Sequence, residues 1–342
     1  MNFYLLLIAL VLILSWLGTA GLRRYALRHN VLDVPNERSS HQIPTPRGGG
    51  MAIIVSLIIG LTLSLFASPE LLFTGGVLIL STAAVAFIGF LDDHGHVNSL
   101  GRLAIHFSAA IAIVLSIGGL PALTIYGFAI DFGWIGGILA VIAIVWLLNL
   151  NNFMDGIDGI ASVQSIFISI GMMACLWIFA DLTPLFWWWA ILAAAVSGFL
   201  YWNFPPAKIF MGDAGSGGLG FIVGAFILLS GHVHPMLLWC GLILFGVFIV
   251  DATYTLVMRL MDGHKVYEAH RSHCYQKASR IWQGHKPVTL TVALIIALWL
   301  FPWAIAVASG VIDGAIALSI SYLPLIFCAY LFKAGKEDTV QG

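Results

Sequence analysis

Apolar positions come in long unbroken runs, without the period-two alternation of a half-buried strand or the single stripe of a soluble helix. A hydrocarbon core about 30 Å thick takes roughly 20 apolar residues per helix. Runs of that kind predict spans at 2–22, 48–66, 71–90, 103–119, 134–150, 159–180, 184–202, 216–231, 236–257, 288–308 and 314–332. The first run has no basic segment ahead of it and no small-residue cleavage site behind it, and Arg23 and Arg24 follow. It reads as a retained helix, not a signal peptide. Between the fourth and fifth spans, LTIYGFAIDFGW (123–134) alternates around a glycine and predicts a small hairpin.

Composition removes the soluble alternatives. Of 342 residues, 60% are hydrophobic and 9% charged, against about 25% charged in soluble proteins. A net charge of −1 without a basic stretch excludes a nucleic-acid partner. The basic residues also orient the chain. If spans alternate, all 15 Lys and Arg fall on one side. The first connection holds Arg23, Arg24, Arg28, Arg38 and Arg47, the third Arg102 and the seventh Lys208. The ninth holds Arg259, Lys265, Arg271, Lys277, Arg280 and Lys286, and the tail holds Lys333 and Lys336. The positive-inside rule makes that side cytoplasmic. The expectation is an all-α polytopic membrane protein of about eleven transmembrane helices, with a periplasmic N-terminus, a cytoplasmic C-terminus and residues 1–342 as a single integral membrane domain. Trp187, Trp188 and Trp189, at the outer end of the seventh span, read as an interfacial aromatic belt. The four cysteines form no CxxC pair, so neither a disulfide framework nor a zinc site is indicated. Cys274, beside histidines, reads as a buried thiol in preference to a reactive one.

Glu70, Asp131, Asp181 and Asp313 fall on the outer side, and the remaining acids lie at the inner face, several at span ends. A carboxylate near hydrocarbon costs about 2.5–3.5 kcal/mol and marks a functional candidate with a partner. Asp92 and Asp93 adjoin at the end of the third span, where two like charges favour a divalent cation or a shared proton. Asn149, Asn152, Asp155 and Asp158 recur at three-residue spacing; on a helix, Asp155 and Asp158 would share a face. Such hard oxygen donors suit Mg²⁺ completed by substrate phosphates; helix capping accounts for one or two of them. In Phe210-Met-Gly-Asp213-Ala-Gly-Ser216, glycines at the start of the eighth span offer backbone N–H groups to an anion, with Asp213 beside them; a packing turn between helices would explain the glycines but not the acid. Glu268-Ala-His270-Arg271-Ser272-His273 in the ninth connection supplies donors for a diphosphate, or a basic loop near anionic lipid. In the first loop, Arg38-Ser-Ser-His41 leads to Arg47 and three glycines, an anion site or a topological anchor. Asp251, inside the ninth span, reads as support between helices.

Together these clusters describe metal-assisted phosphoryl transfer at the cytoplasmic face. LDD at 91–93, NxxNxxDGxDG at 149–159, FMGDxGS at 210–216 and HRSHCYQ at 270–276 resemble, in order and spacing, the polyprenyl-phosphate N-acetylhexosamine-1-phosphate transferases. The resemblance covers nearly the whole chain. It implies a bacterial inner-membrane enzyme that transfers an N-acetyl(deoxy)hexosamine-1-phosphate from a UDP-sugar to undecaprenyl phosphate, releasing UMP. The cofactor it implies is Mg²⁺, with Mn²⁺ as a substitute. It implies Asp92 as the base on the lipid phosphate, with Asp93 supporting it. It implies Asp213 as a ligand of Mg²⁺ and diphosphate. Asn152, Asp155 and Asp158 would hold the nucleotide-sugar or support the metal, and His270 and His273 would contact phosphate. Arg47, Asn149 and Arg271 complete the candidate substrate contacts, and Asp155 joins the candidate metal ligands. HRSH departs from the HxHH-type motif at Ser272, which argues against a muramoyl-pentapeptide substrate. The variants look most like the initiators of O-antigen and lipopolysaccharide synthesis. A homodimer is left open.

An ion-coupled transporter is the competing class. Its site would lie near the midplane within inverted repeats, whereas these acids gather at one face and no repeat is visible. A CDP-alcohol phosphotransferase needs an Arg after its DG motif, and Ser162 and Val163 follow here.

Overall fold

The computed structural model describes residues 1–35, 43–95, 97–180, 182–265 and 270–336. Arg38, His41, Asp181 and Glu268 lie outside the described residues. The chain folds into helices α1 (Asn2–Arg28), α2 (Gly50–Leu65), α3 (Leu72–His94), α4 (Ser99–Ile117), α5 (Gly133–Met154), α6 (Ile160–Ala180), α7 (Pro184–Asn203) and α8 (Asp213–Val233). There follow α9 (Pro235–Leu244), α10 (Gly246–Met261), α11 (Cys274–Ile281), α12 (His285–Ile295), α13 (Phe301–Ala308) and α14 (Gly314–Leu331). Strands β1 (Leu32–Asp33) and β2 (Thr45–Pro46) pair antiparallel. The expected hairpin at 123–134 is present as β3 (Leu123–Ile125) and β4 (Phe128–Ile130).

Among the described residues nine helices are long and apolar enough to cross a bilayer, ten if a bent pair counts as one. The molecule is therefore a multi-pass, all-α membrane protein. Two of the expected spans take other forms. Span 48–66 is the 16-residue α2. Span 236–257 is α9 and α10, bent by 67° at Phe245. A carbonyl freed by such a bend needs a partner inside hydrocarbon, and Gln164 Nε2 of α6 donates to Leu244 O (3.0 Å). α12 continues into α13 through a wider π turn at Ile296–Leu300, just before Pro302, which has no N–H to continue the ladder.

α8 is the central helix, with α2, α3, α5, α7 and α9 against it. Small residues let backbones approach in the absence of a hydrophobic drive between helices. A Cβ on Gly220 would lie 2.7 Å from Leu148 Cα, and one on Gly89 2.7 Å from Ala214 N. The tryptophans of α7 correct the interfacial reading. Trp188 and Trp189 are fully buried, donating to Ser64 Oγ (2.9 Å) and Ser230 Oγ (3.2 Å), while Trp187 stacks on Tyr4. Indole N–H groups need a partner away from water, and hydroxyls on α2 and α8 provide it.

The loops sort to two ends. At one, Arg23 reaches Lys208 O (3.2 Å) and Gly335 N–H donates to Ser272 O (2.9 Å). At the other, Asp313 meets Gly127 N–H and His232 meets Gly119 O. The connections that carry the basic residues thus gather at the first end.

Candidate active site

Segments distant in sequence converge at that end. The chain entering α2 runs beside the chain entering α8. Phe210 N–H donates to Pro46 O (2.8 Å), Gly49 N–H to Phe210 O (2.9 Å) and Gly50 N–H to Met211 O (2.9 Å). A Cβ on Gly50 would run into the Cα of Gly215. This pairing sets Arg47, whose Nη2 lies 2.6 Å from Asp93 Oδ1 and 3.0 Å from Asp213 Oδ1.

Asp93, at the end of α3, has a side chain only 4% exposed. Its oxygens accept the N–H groups of Asp213 (3.0 Å) and Ala214 (3.3 Å), the first residues of α8. A carboxylate there satisfies orphan donors and the helix dipole together. Gly212 has φ +79°, and a Cβ on it would lie 2.7 Å from Asp93 Oδ2. The substrate anion expected at these glycines is therefore a protein carboxylate: the first N–H groups of α8 are already taken. The glycine run instead lets α2 and Asp93 come close.

Asp92 accepts Val97 N–H (3.1 Å) and pairs with Arg102. Arg102 Nη1 is also 3.7 Å from Asp213 Oδ2. Sequence reading gives Arg102 only a topological role. The brief turn between α3 and α4 was the available signal, because it returns position 102 over position 92. Asp213 thus stands between two guanidiniums, next to Asp93.

Asp155 follows the last residue of α5. Burial pushes its carboxyl well above the usual range, Asp213 reinforces the shift and Arg47 opposes it. Among the described residues no hydrogen bond or ion pair engages its side chain. The shared helical face expected for Asp155 and Asp158 is not formed, because the helix stops at Met154 and resumes at Ile160. Gly159, at φ +74°, makes the turn. Asp158 is turned into the frame. Its Oδ2 accepts Ala207 N–H (2.9 Å), its Oδ1 is 3.0 Å from His285 Nδ1, and its carbonyl accepts the Thr289 hydroxyl (2.7 Å). Asn149 Nδ2 bonds back to Val145 O (2.7 Å) within its own helix, and Asn152 is partly exposed beside Asp155. The intervening Asn151 is fully buried and donates to Ser216 O (2.7 Å), tying α5 to α8.

The histidine motif is held from below. Asp251 accepts the N–H groups of Cys274 (2.8 Å) and Tyr275 (2.9 Å), capping α11 as well as joining it to α10. His273 is buried, with Nδ1 3.4 Å from Asp251 Oδ1, and Arg271 is exposed. His270 Nδ1 lies 3.0 Å from the hydroxyl of Ser272, so the residue that departs from the family pattern orients its neighbour. Burial pushes the Cys274 thiol up, with Asp251 adding to it, and keeps it protonated and unreactive. Burial, with His273 and Arg259 adding to it, lowers His270 to about 4. His270 is therefore neutral at pH 7 and gains its proton only as pH falls toward 4. Replacing it with glutamine is expected to leave the acid limb of activity above pH 5 where it was. An acid limb that moves in this variant would show that His270 titrates in the working range.

Tyr275 joins the two groups. Its hydroxyl donates to Phe153 O (2.9 Å) and occupies the space a Cβ on Gly156 would need. The loop bearing Asp155 is thereby tied to the histidine motif. Tyr275→Phe should lower kcat about fivefold to tenfold with little change in KM, the scale of one lost hydrogen bond. Gly156→Ala should be far worse, and Tyr275→Phe should partly rescue it by removing the clashing hydroxyl. Additive losses in the double variant would refute the coupling.

The sequence profile of glycosyl transferase family 4 matches residues 76–231, which include the first three motifs. A probable undecaprenyl-phosphate N-acetylglucosaminyl 1-phosphate transferase of Bacillus subtilis is 27% identical, over 81% of this chain and 77% of the relative. An undecaprenyl-phosphate alpha-N-acetylglucosaminyl 1-phosphate transferase of Escherichia coli O157:H7 is 26% identical, over 91% and 86%. A phospho-N-acetylmuramoyl-pentapeptide-transferase of a Wolbachia strain from Brugia malayi is 30% identical, over 64% and 68%.

Proposed function

Because the chain belongs to glycosyl transferase family 4, the polyprenyl-phosphate hexosamine-1-phosphate transferases, we propose that it transfers an N-acetylhexosamine-1-phosphate from a UDP-sugar to undecaprenyl phosphate. The products are undecaprenyl-diphospho-sugar and UMP. The supporting observation is the meeting of Asp92, Asp93 and Asp213 with Arg47 and Arg102, next to a desolvated Asp155. Two guanidiniums among carboxylates suit anionic phosphates in a bundle whose outer surface faces lipid.

The donor set fits Mg²⁺, with Mn²⁺ as a substitute. Asp155 is desolvated, with no hydrogen bond or ion pair among the described residues, and Asp213 lies in its field. Among the described residues no three His, Cys, Asp or Glu side chains form a cage by themselves. Mg²⁺ commonly takes one or two carboxylates and completes its shell from phosphates and water. When bound, it neutralises charge developing on the transferred phosphoryl group.

Asp93 and Arg47 hold Asp213 at the start of α8. A phosphate arriving near Arg102 competes for that guanidinium and releases an oxygen of Asp92, which accepts the proton of the lipid phosphate. The lipid phosphate oxygen then bonds to the β-phosphorus, the bond from that phosphorus to the bridging oxygen breaks, and UMP departs. The sugar C1–O bond stays intact, so the anomeric configuration is kept. His270 and Arg271 are assigned to steadying the diphosphate, while Asp158 and His273 act through the frame.

The two glucosaminyl relatives and the HRSH variant favour UDP-N-acetylglucosamine or a deoxy relative as donor. The bacterial relatives support placement in a bacterial inner membrane, and the positive-inside rule supports a site on the cytoplasmic side. The reaction would start O-antigen or another surface polysaccharide. Purified protein with undecaprenyl phosphate and a panel of UDP-N-acetyl sugars should release UMP with one of them, should stop on chelation and should recover with Mg²⁺. Activity with no UDP-sugar would remove this proposal.

A further inference from the structure

A cavity of about 640 Å³ lies between α11 and the end of α14, outside the carboxylate site. Arg280 and Lys333 supply exposed cations to its wall beside the buried Lys277, and Ile281, Leu331 and Phe332 supply apolar surface; among the described residues no lining residue is acidic. Ile281 and Leu331 are more than half exposed, and Trp282 stands edge-on to Phe332 at 6.2 Å. An exposed indole beside cations is the composition of a water–lipid boundary. Along α14, Leu323, Phe327 and Tyr330 are also largely exposed, so an apolar track leads away from the cationic wall.

We propose that this cavity binds an anionic phospholipid, its phosphate against the exposed Arg280 and Lys333 and its acyl chains along α14. Two exposed cations over one exposed apolar track match a molecule that is both anionic and amphiphilic; clustered basic residues at the cytoplasmic end of membrane helices recognise such headgroups. A soluble nucleotide has no use for the apolar half. The lipid acceptor of the transfer reaction is a different ligand, because Arg47, Arg102 and the carboxylates come from other elements. The cavity is also joined to the histidine motif. Gly335, two residues beyond Lys333, donates its N–H to Ser272 O, and α11 is capped by Asp251. A bound headgroup therefore braces residues 270–276.

The test uses the full chain in nanodiscs of phosphatidylcholine with or without phosphatidylglycerol, and the double variant Arg280→Gln/Lys333→Asn. Both side chains are exposed, and asparagine tolerates the φ of +52° at position 333. After extraction, native mass spectrometry should find one phosphatidylglycerol retained by the wild type and at least about tenfold less by the variant, with phosphatidylcholine retention equal in both. Millimolar inorganic phosphate should not displace the lipid. Equal retention of phosphatidylglycerol by both proteins would overturn the proposal. So would displacement by inorganic phosphate, which would make this a free-anion site, or by equimolar undecaprenyl phosphate, which would make it the acceptor site.

Discussion

Exchange of Asp213 for asparagine is expected to cut turnover at least about 100-fold in protein that still inserts and folds. The amide keeps the side chain's shape, and the backbone N–H of residue 213 still bonds Asp93. What disappears is a negative charge set between Arg47 and Arg102 and next to Asp155. A factor of 100 corresponds to about 2.7 kcal/mol of transition-state stabilisation, the scale of removing one preorganised electrostatic partner. Asp155→Asn should lose as much: among the described residues its side chain makes no hydrogen bond or ion pair, so the substitution leaves the frame alone and removes a candidate metal ligand. UMP release by purified variants, alongside their melting temperatures, tests both. Near-normal Mg²⁺-dependent activity in Asp213→Asn would end its assignment as a metal ligand.

Arg47→Met is expected to reduce both stability and activity. Asp93 is almost entirely buried, and removing one partner of a buried ion pair costs about 3–5 kcal/mol. The two α8 N–H groups remain on Asp93 and Arg47 itself is 35% exposed, which places the loss below that range, at about 1–3 kcal/mol. Adding Asp93→Asn should recover part of the stability, since the uncompensated charge goes, and none of the activity, since Asp213 has then lost the group that steadies it. Thermal unfolding of the three variants in detergent gives the comparison. A single Arg47→Met variant that melts with the wild type would mean that the pair carries no structural weight.

The residues themselves show which parts of this site were legible beforehand. Asp92, Asp93, Asp155 and Asp213 stand out because charge beside hydrocarbon is costly and needs a reason. Arg102 does not, since a cation at the inner end of a span already has a sufficient explanation in topology. Asp93 and Asp92 look equivalent in LDD, yet one is buried as the cap of α8 and the other is held by Arg102. Asp158 looks like a twin of Asp155 at helical spacing, but the helix stops at Met154, before both, and its carboxylate goes to Ala207 and His285. Tyr275 lies within HRSHCYQ but its role gives no signal in sequence: it rests on a carbonyl more than a hundred residues away.

Membrane residence, the order of the long helices and the family were already written in the primary structure, because hydrocarbon tolerates few charges and forces backbone groups to pair within each segment. That same pressure acts on every apolar run alike, so it does not say which runs bend or which face each other. The break between α9 and α10, the burial of Trp188 and Trp189, and the division of carboxylates into those that carry the frame and those left for substrate were decided by packing. Each depends on a hydrogen-bond donor or acceptor supplied by another helix, and no local pattern encodes that partner.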